Sequence, residues 1–116
     1  MIKVYGIPNC DTVKKARNWL DGFKIDYQFH DYRKDGISTD MVTAWAAELG
    51  FEALLNRRGT TWRGLPDSDK ADVDSLKAVA LMVAHPALIK RPLFDTGAER
   101  YVGFGADVQA RLRERT

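Results

Sequence analysis

Cys10 is the only thiol in a chain of 116 residues. It follows the run Ile2-Lys3-Val4-Tyr5-Gly6 and the loop Ile7-Pro8-Asn9, and it stands just before a stretch with helical spacing. A thiol at a helix start meets unpaired backbone N–H groups and the positive end of the helix dipole. Both favour the thiolate, which is the nucleophilic form. Lys14, one turn further on, adds a cation, whereas the carboxylate of Asp11 beside the sulfur works against it. The alternative is a buried and inert cysteine. Position 13 is Val, so there is no Cys-x-x-Cys dithiol. A disulfide formed at Cys10 must then be resolved by a thiol from elsewhere. The abundant candidate in a reducing compartment is glutathione, acting as co-substrate.

Other side chains fit anion binding. Arg91 precedes Pro92 and is therefore held extended ahead of a strand. Arg57, Arg58 and Arg63 lie in a glycine-bearing loop with Trp62. They are either solvated or a patch for a glutathione carboxylate, a phosphate-like oxyanion or an acidic partner. His30 and His85 are isolated, and neither they nor the single Cys form a metal-ligand set. Structural roles are expected for both, and core positions for Trp19, Trp45 and Phe51.

The elements that must position these groups follow from periodicity. Ile2–Tyr5 reads as a strand ended by Gly6. Val13, Ala16, Trp19 and Leu20 give a helix from Asp11, closed at Gly22. Tyr27–Tyr32 alternates as a second strand. Ser38 or Asp40 caps a helix through Leu49, ended by Gly50, with a short helical piece over 51–55. A loop covers the arginines, and 66–74 holds at most a turn of helix. Leu76, Val79, Ala80, Leu81, Val83 and Leu88 mark a further helix, stopped or kinked by Pro86. Leu93-Phe94 and Tyr101-Val102 form a hairpin, and 106–115 a terminal helix. The expectation is one α/β domain over 1–116: a small mixed four-stranded sheet of thioredoxin-like type, with a helical insertion over about 38–90 between the second and third strands.

Composition sets the outer bounds. Hydrophobic residues are 45%, charged residues 29%, and the net charge is +2, as for an ordinary soluble protein. The near balance of charge argues against direct nucleic-acid binding. No apolar run reaches the length needed to span a bilayer, and the opening residues lack the apolar core of a signal peptide. A cytoplasmic monomer is expected.

The strand–loop–Cys10–helix opening, the segment Leu54-Leu55-Asn56-Arg57-Arg58-Gly59 and His85-Pro86-Ala87-Leu88-Ile89-Lys90-Arg91-Pro92-Leu93 together resemble the ArsC family. The family includes glutaredoxin-coupled arsenate reductases and Spx transcriptional regulators, and the chain most resembles its YffB-like branch. The resemblance implies a thioredoxin-like fold with a helical insertion and a cis peptide before Pro92. It makes Cys10 the counterpart of the catalytic thiolate of the arsenate reductases, in which glutathione joins the arsenic adduct and glutaredoxin releases product. Arg91 corresponds to an oxyanion-binding arginine, and Lys14 falls where those enzymes carry Arg. Three positions depart from their pattern. Gly6 replaces a His, Asn56 stands where a second binding Arg would be, and a third Arg would fall near Gly103 or Phe104. Val13 removes the dithiol switch usual in Spx proteins, which bind RNA polymerase. The first expectation is therefore a glutathione-dependent thiol reductase. Cys10 would be its nucleophile, with Lys14, Arg57, Arg58, Arg91 and Pro92 around the thiolate or its substrate. An arsenate reductase and an Spx-like regulator are the alternatives.

Overall fold

A computed structural model describes residues 1–114. The chain divides into two compact units, one of Met1–Gly36 with the chain from Arg91 onward, the other Ile37–Lys90. The second unit lies between the strand-bearing segments in sequence.

The first unit holds the sheet. Strand β1 (Ile2–Gly6) leads into helix α1 (Asp11–Gly22) and strand β2 (Tyr27–Asp31). β1 and β2 run parallel, from Ile2 opposite Tyr27 to Gly6 opposite Asp31. Strands β3 (Leu93–Asp95) and β4 (Arg100–Val102) form the expected hairpin. β3 lies antiparallel to β1 with Val4 opposite Phe94, and Phe94 faces Tyr101 across the hairpin. The order is β2-β1-β3-β4, so the sheet is mixed and four-stranded, as expected.

Residues two apart on a strand share a face. Ile2 and Val4 therefore join Phe94 and Tyr101 on one side, where Ala16 and Leu20 of α1 meet Val108 and Leu112. The last two belong to helix α7 (Ala106–Glu114). Arg115, the last residue of the expected terminal helix, lies outside the described residues. Trp19 is only partly buried against this core rather than within it.

The end of α1 differs from expectation. Gly22 is still helical, and the left-handed residue is Lys24, at φ 55°. Its N–H donates to the carbonyl of Asp21 (3.1 Å) and that of Ile25 to Leu20 (2.9 Å). This pair of bonds is the Schellman closure, and Ile25 packs back onto the same core as Leu20.

The second unit is helical. Helix α2 (Thr39–Leu49) starts at Ser38, whose Oγ accepts from the Met41 N–H at 3.1 Å. Short helices follow: α3 (Phe51–Leu54), α4 (Thr60–Arg63) and α5 (Asp67–Lys70). Helix α6 (Ser75–Ala84) is capped by Asp74, whose Oδ1 accepts from the Lys77 N–H at 2.9 Å. The Lys77 ammonium also donates to the carbonyls of Ser68 and Ala71, which ties α5 to α6. Pro86 ends α6 as expected and opens a single 3-10 turn over Pro86–Leu88. The arginine loop is less irregular than its glycines suggested, because α4 lies within it. Leu76 is 85% exposed and does not belong to the buried stripe of α6.

Candidate active site

The turn before α1 sets the cysteine. The Cys10 N–H donates to the Ile7 carbonyl at 3.2 Å, and the Cys10 carbonyl accepts the Lys14 N–H at 2.9 Å. Cys10 is thus the N-cap residue, with extended φ −83° and ψ 126°, and its side chain makes no capping bond. An N-cap is usually Ser, Thr, Asp or Asn because an oxygen accepts from the first-turn N–H groups. Here a sulfur stands there, and it is partly accessible to solvent, not sealed in the core. Lys14 follows on the same stripe of α1, exposed and without a carboxylate partner among the described residues.

Gly6 and Val13 are fitted to each other below this turn. A Cβ on Gly6 would come within 2.7 Å of Val13 Cγ2. Val13 is fully buried, so the methyl group has no free space to retreat into. Position 6 therefore excludes the larger side chain found in the arsenate reductases as long as Val13 is present. Val13, the residue that leaves no dithiol, occupies the space above the glycine.

Arg91 belongs to the same unit as Cys10, and the Arg91–Pro92 peptide bond is cis, as the resemblance implied. Pro92 is buried, and its carbonyl accepts the Gly103 N–H at 2.9 Å, prolonging the hairpin ladder. Tyr32 is the neighbour that sequence reading did not single out. Its N–H donates to the Gly6 carbonyl at 2.9 Å, and its ring is 1% exposed. Burial pushes the Tyr32 phenol well above its ordinary value. The Arg91 charge pulls it part of the way back, and Tyr5 adds a smaller push upward. The alternation of Tyr27 and Phe29 breaks at Asp31, so nothing in the sequence pattern pointed to the burial of this ring.

Arg57 and Arg58 lie in the helical unit. Asn56 builds their turn. Its N–H donates to Leu88, and its Oδ1 accepts from the Arg58 N–H at 3.0 Å. Its Nδ2 sits 3.3 Å from where a Cβ of Gly59 would be. The amide is thus used inside the turn, which is why an Asn serves at the position where a binding Arg was looked for. Arg57 lies over the Trp62 ring at 5.5 Å, giving that partly buried tryptophan its contact. His30 makes structural contacts, as expected: its Nε2 pairs with the Gly36 carbonyl at 2.6 Å and its ring tilts against Tyr5. No group of His, Cys, Asp and Glu among the described residues is arranged to hold a metal.

A second feature of α1 was not legible as a site. Arg17 Nε donates to the Tyr27 hydroxyl at 3.1 Å, and its guanidinium lies 4.2 Å from the centre of the Phe29 ring. Lys14, Arg17, Asn18, Asp21 and Tyr27 together line a cavity of about 350 Å³.

Known proteins share this fold. The ArsC family profile matches residues 5–111. A solved YFFB protein is 48% identical, with a TM-score of 0.92, covering 96% of this chain and 97% of its own. An arsenate reductase (ArsC) related protein from Brucella melitensis is 42% identical with a TM-score of 0.78, covering 95% and 92%. The global transcriptional regulator Spx of Streptococcus pyogenes is 26% identical over 109 residues, which is 92% of this chain and 81% of that protein. The likeness covers the thioredoxin-like sheet and the helical insertion alike. With its cysteine at the start of α1 and its cis proline at β3, the chain belongs to the ArsC family.

Proposed function

We propose that the protein is a glutathione-dependent thiol reductase with Cys10 as its single nucleophile. The observation that carries this reading is the sulfur at the N-cap of α1. It is accessible, unused in capping, and has the ammonium-bearing Lys14 one turn away. A partly accessible sulfur at the start of a helix, not engaged in capping, can be reached by a disulfide from solution.

The reaction balances with glutathione alone. The Cys10 thiolate attacks the glutathionyl sulfur of a mixed disulfide, forming Cys10–S–S–glutathione and releasing the other thiolate. A second glutathione thiolate then attacks that bond, restoring the Cys10 thiolate and leaving oxidised glutathione. Glutaredoxin can take the place of the second thiol. The cis-linked Arg91 binds anionic parts of the substrate, and Arg57 and Arg58 are the anion-binding residues of the helical unit. Pro92 orders the backbone beside Arg91. The enzyme works as a cytoplasmic monomer. No helix among the described residues is long and apolar enough to cross a membrane.

Arsenate reduction is the weaker reading. Gly6 cannot take the family's His beside Val13, and Asn56 is occupied within its own turn. An Spx-like role is weaker as well, because Val13 leaves no dithiol to switch.

The test is turnover of a small glutathione mixed disulfide with glutathione as reductant. A rate above the uncatalysed exchange, lost in Cys10→Ser, is expected. A Cys10→Ser variant as active as the parent protein would overturn the assignment.

A further inference from the structure

Cys10, Lys14, Arg17 and Asp21 follow one another at spacings of four, three and four residues. On a helix, such positions form a single stripe. The cavity of about 350 Å³ lined by Lys14, Arg17, Asn18, Asp21 and Tyr27 is therefore the continuation of the cysteine's own face of α1.

Its chemistry is specific. Arg17 is held rigid from two sides, by the Tyr27 hydroxyl on its Nε and by the Phe29 ring beneath its guanidinium. Among the described residues its Nη groups and the Lys14 ammonium have no partner, so the donors that grip a carboxylate are free. Asp21 supplies the opposite charge on the same cavity, and its carboxylate makes no ion pair there. A wall that offers a guanidinium fork and a carboxylate together matches a ligand end bearing both an anion and a cation. The α-amino-acid head, one carboxylate and one ammonium on the same carbon, has that pattern.

We propose that this cavity binds the zwitterionic amino-acid head of the thiol substrate, which for glutathione is its γ-glutamyl end. Lys14 and Arg17 take the carboxylate, and Asp21 takes the ammonium. The inference rests on the reading of Cys10 as the residue that joins glutathione. The reach agrees with it. Arg17 lies two turns from Cys10, about 10 Å along the axis at roughly 1.5 Å per residue. An extended peptide advances about 3.3–3.6 Å per residue, and a γ-linkage lengthens the residue that carries it. A cysteinyl sulfur at Cys10 can therefore bring its γ-glutamyl head to the Lys14–Arg17 end of the cavity, with Asp21 one turn further at its far end. Discrimination would fall on the head, so cysteinylglycine thiols would be poor substrates.

The test uses S-methylglutathione, which cannot react, titrated into the intact protein and followed by backbone amide shifts. Shifts clustered on Lys14, Arg17, Asn18, Asp21 and Tyr27 are expected. S-methyl-cysteinylglycine, which lacks the head, should bind about tenfold or more weakly, as should S-methylglutathione to Arg17→Gln. Because Arg17 also packs on Phe29, Asp21→Asn provides the second variant. It touches no described packing and should weaken binding of the headed ligand while leaving the headless one unchanged. Equal affinity for the two ligands, or shifts located elsewhere, would overturn the proposal. S-methylglutathione bound here by a protein whose Cys10 takes up no glutathione would defeat the redox reading and leave the subsite standing. A mixed disulfide that forms without head recognition would do the reverse.

Discussion

Two residues that look like losses relative to the arsenate reductases turn out to be one packing solution. Gly6 and Val13 are complementary, with no room for a Cβ between them. Gly6→Ala should destabilise the protein by about 1–3 kcal/mol through overpacking. In Gly6→Ala with Val13→Ala the penalty should be smaller than the sum of the two single changes, because each relieves the other. Urea midpoints of the four proteins check this, and strict additivity would contradict the fit. Tyr32 gives a second prediction at this scale. Burial raises its phenol above the ordinary 10.0. The unfolded chain therefore loses that proton first, and stability present below pH 10 declines as the pH climbs above it. Tyr5 is raised for the same reason, with Asp95 adding to it. Tyr32→Phe should reduce, but not remove, the loss of urea stability between pH 9 and pH 11. These environments were not legible in the sequence, because a missing side chain or a buried hydroxyl depends on what packs above it.

The elements were more legible than their contents. β1, α1, the hairpin and α2 follow from alternation, helical period and caps, and those signals are local. The mistakes came where local signal and tertiary role part. Leu76 fits the apolar spacing of α6 yet points to solvent. Lys24, not Gly22, closes α1, since the Schellman bonds need a left-handed residue one step beyond the cap and a lysine supplies it. The cap at Ser38 was legible and that at Asp74 was not, and both are open to measurement. Ser38→Ala and Asp74→Ala should each cost about 1 kcal/mol, seen as a lowered urea midpoint with unchanged slope. An unchanged midpoint for both would show that α2 and α6 do not depend on those bonds.

At the scale of the whole molecule, the chain order strand, helix, strand, helices, hairpin, helix puts the thiol in a unit assembled from both ends of the sequence. Periodicity made that order readable, and the family resemblance over His85-Pro86 through Arg91-Pro92 agreed with it. The charged stripe of α1 was less readable. Its residues are spaced correctly in the sequence, but only the pairing of β2 beside β1 brings Tyr27 and Phe29 under Arg17. The proposed activity depends on the chemistry of one sulfur, so the most direct measurement is intact mass after incubation with oxidised glutathione at neutral pH. The protein should gain one glutathionyl group, reversibly with reduced glutathione, and Cys10→Ser should gain none. A parent protein that keeps its unmodified mass would contradict the account.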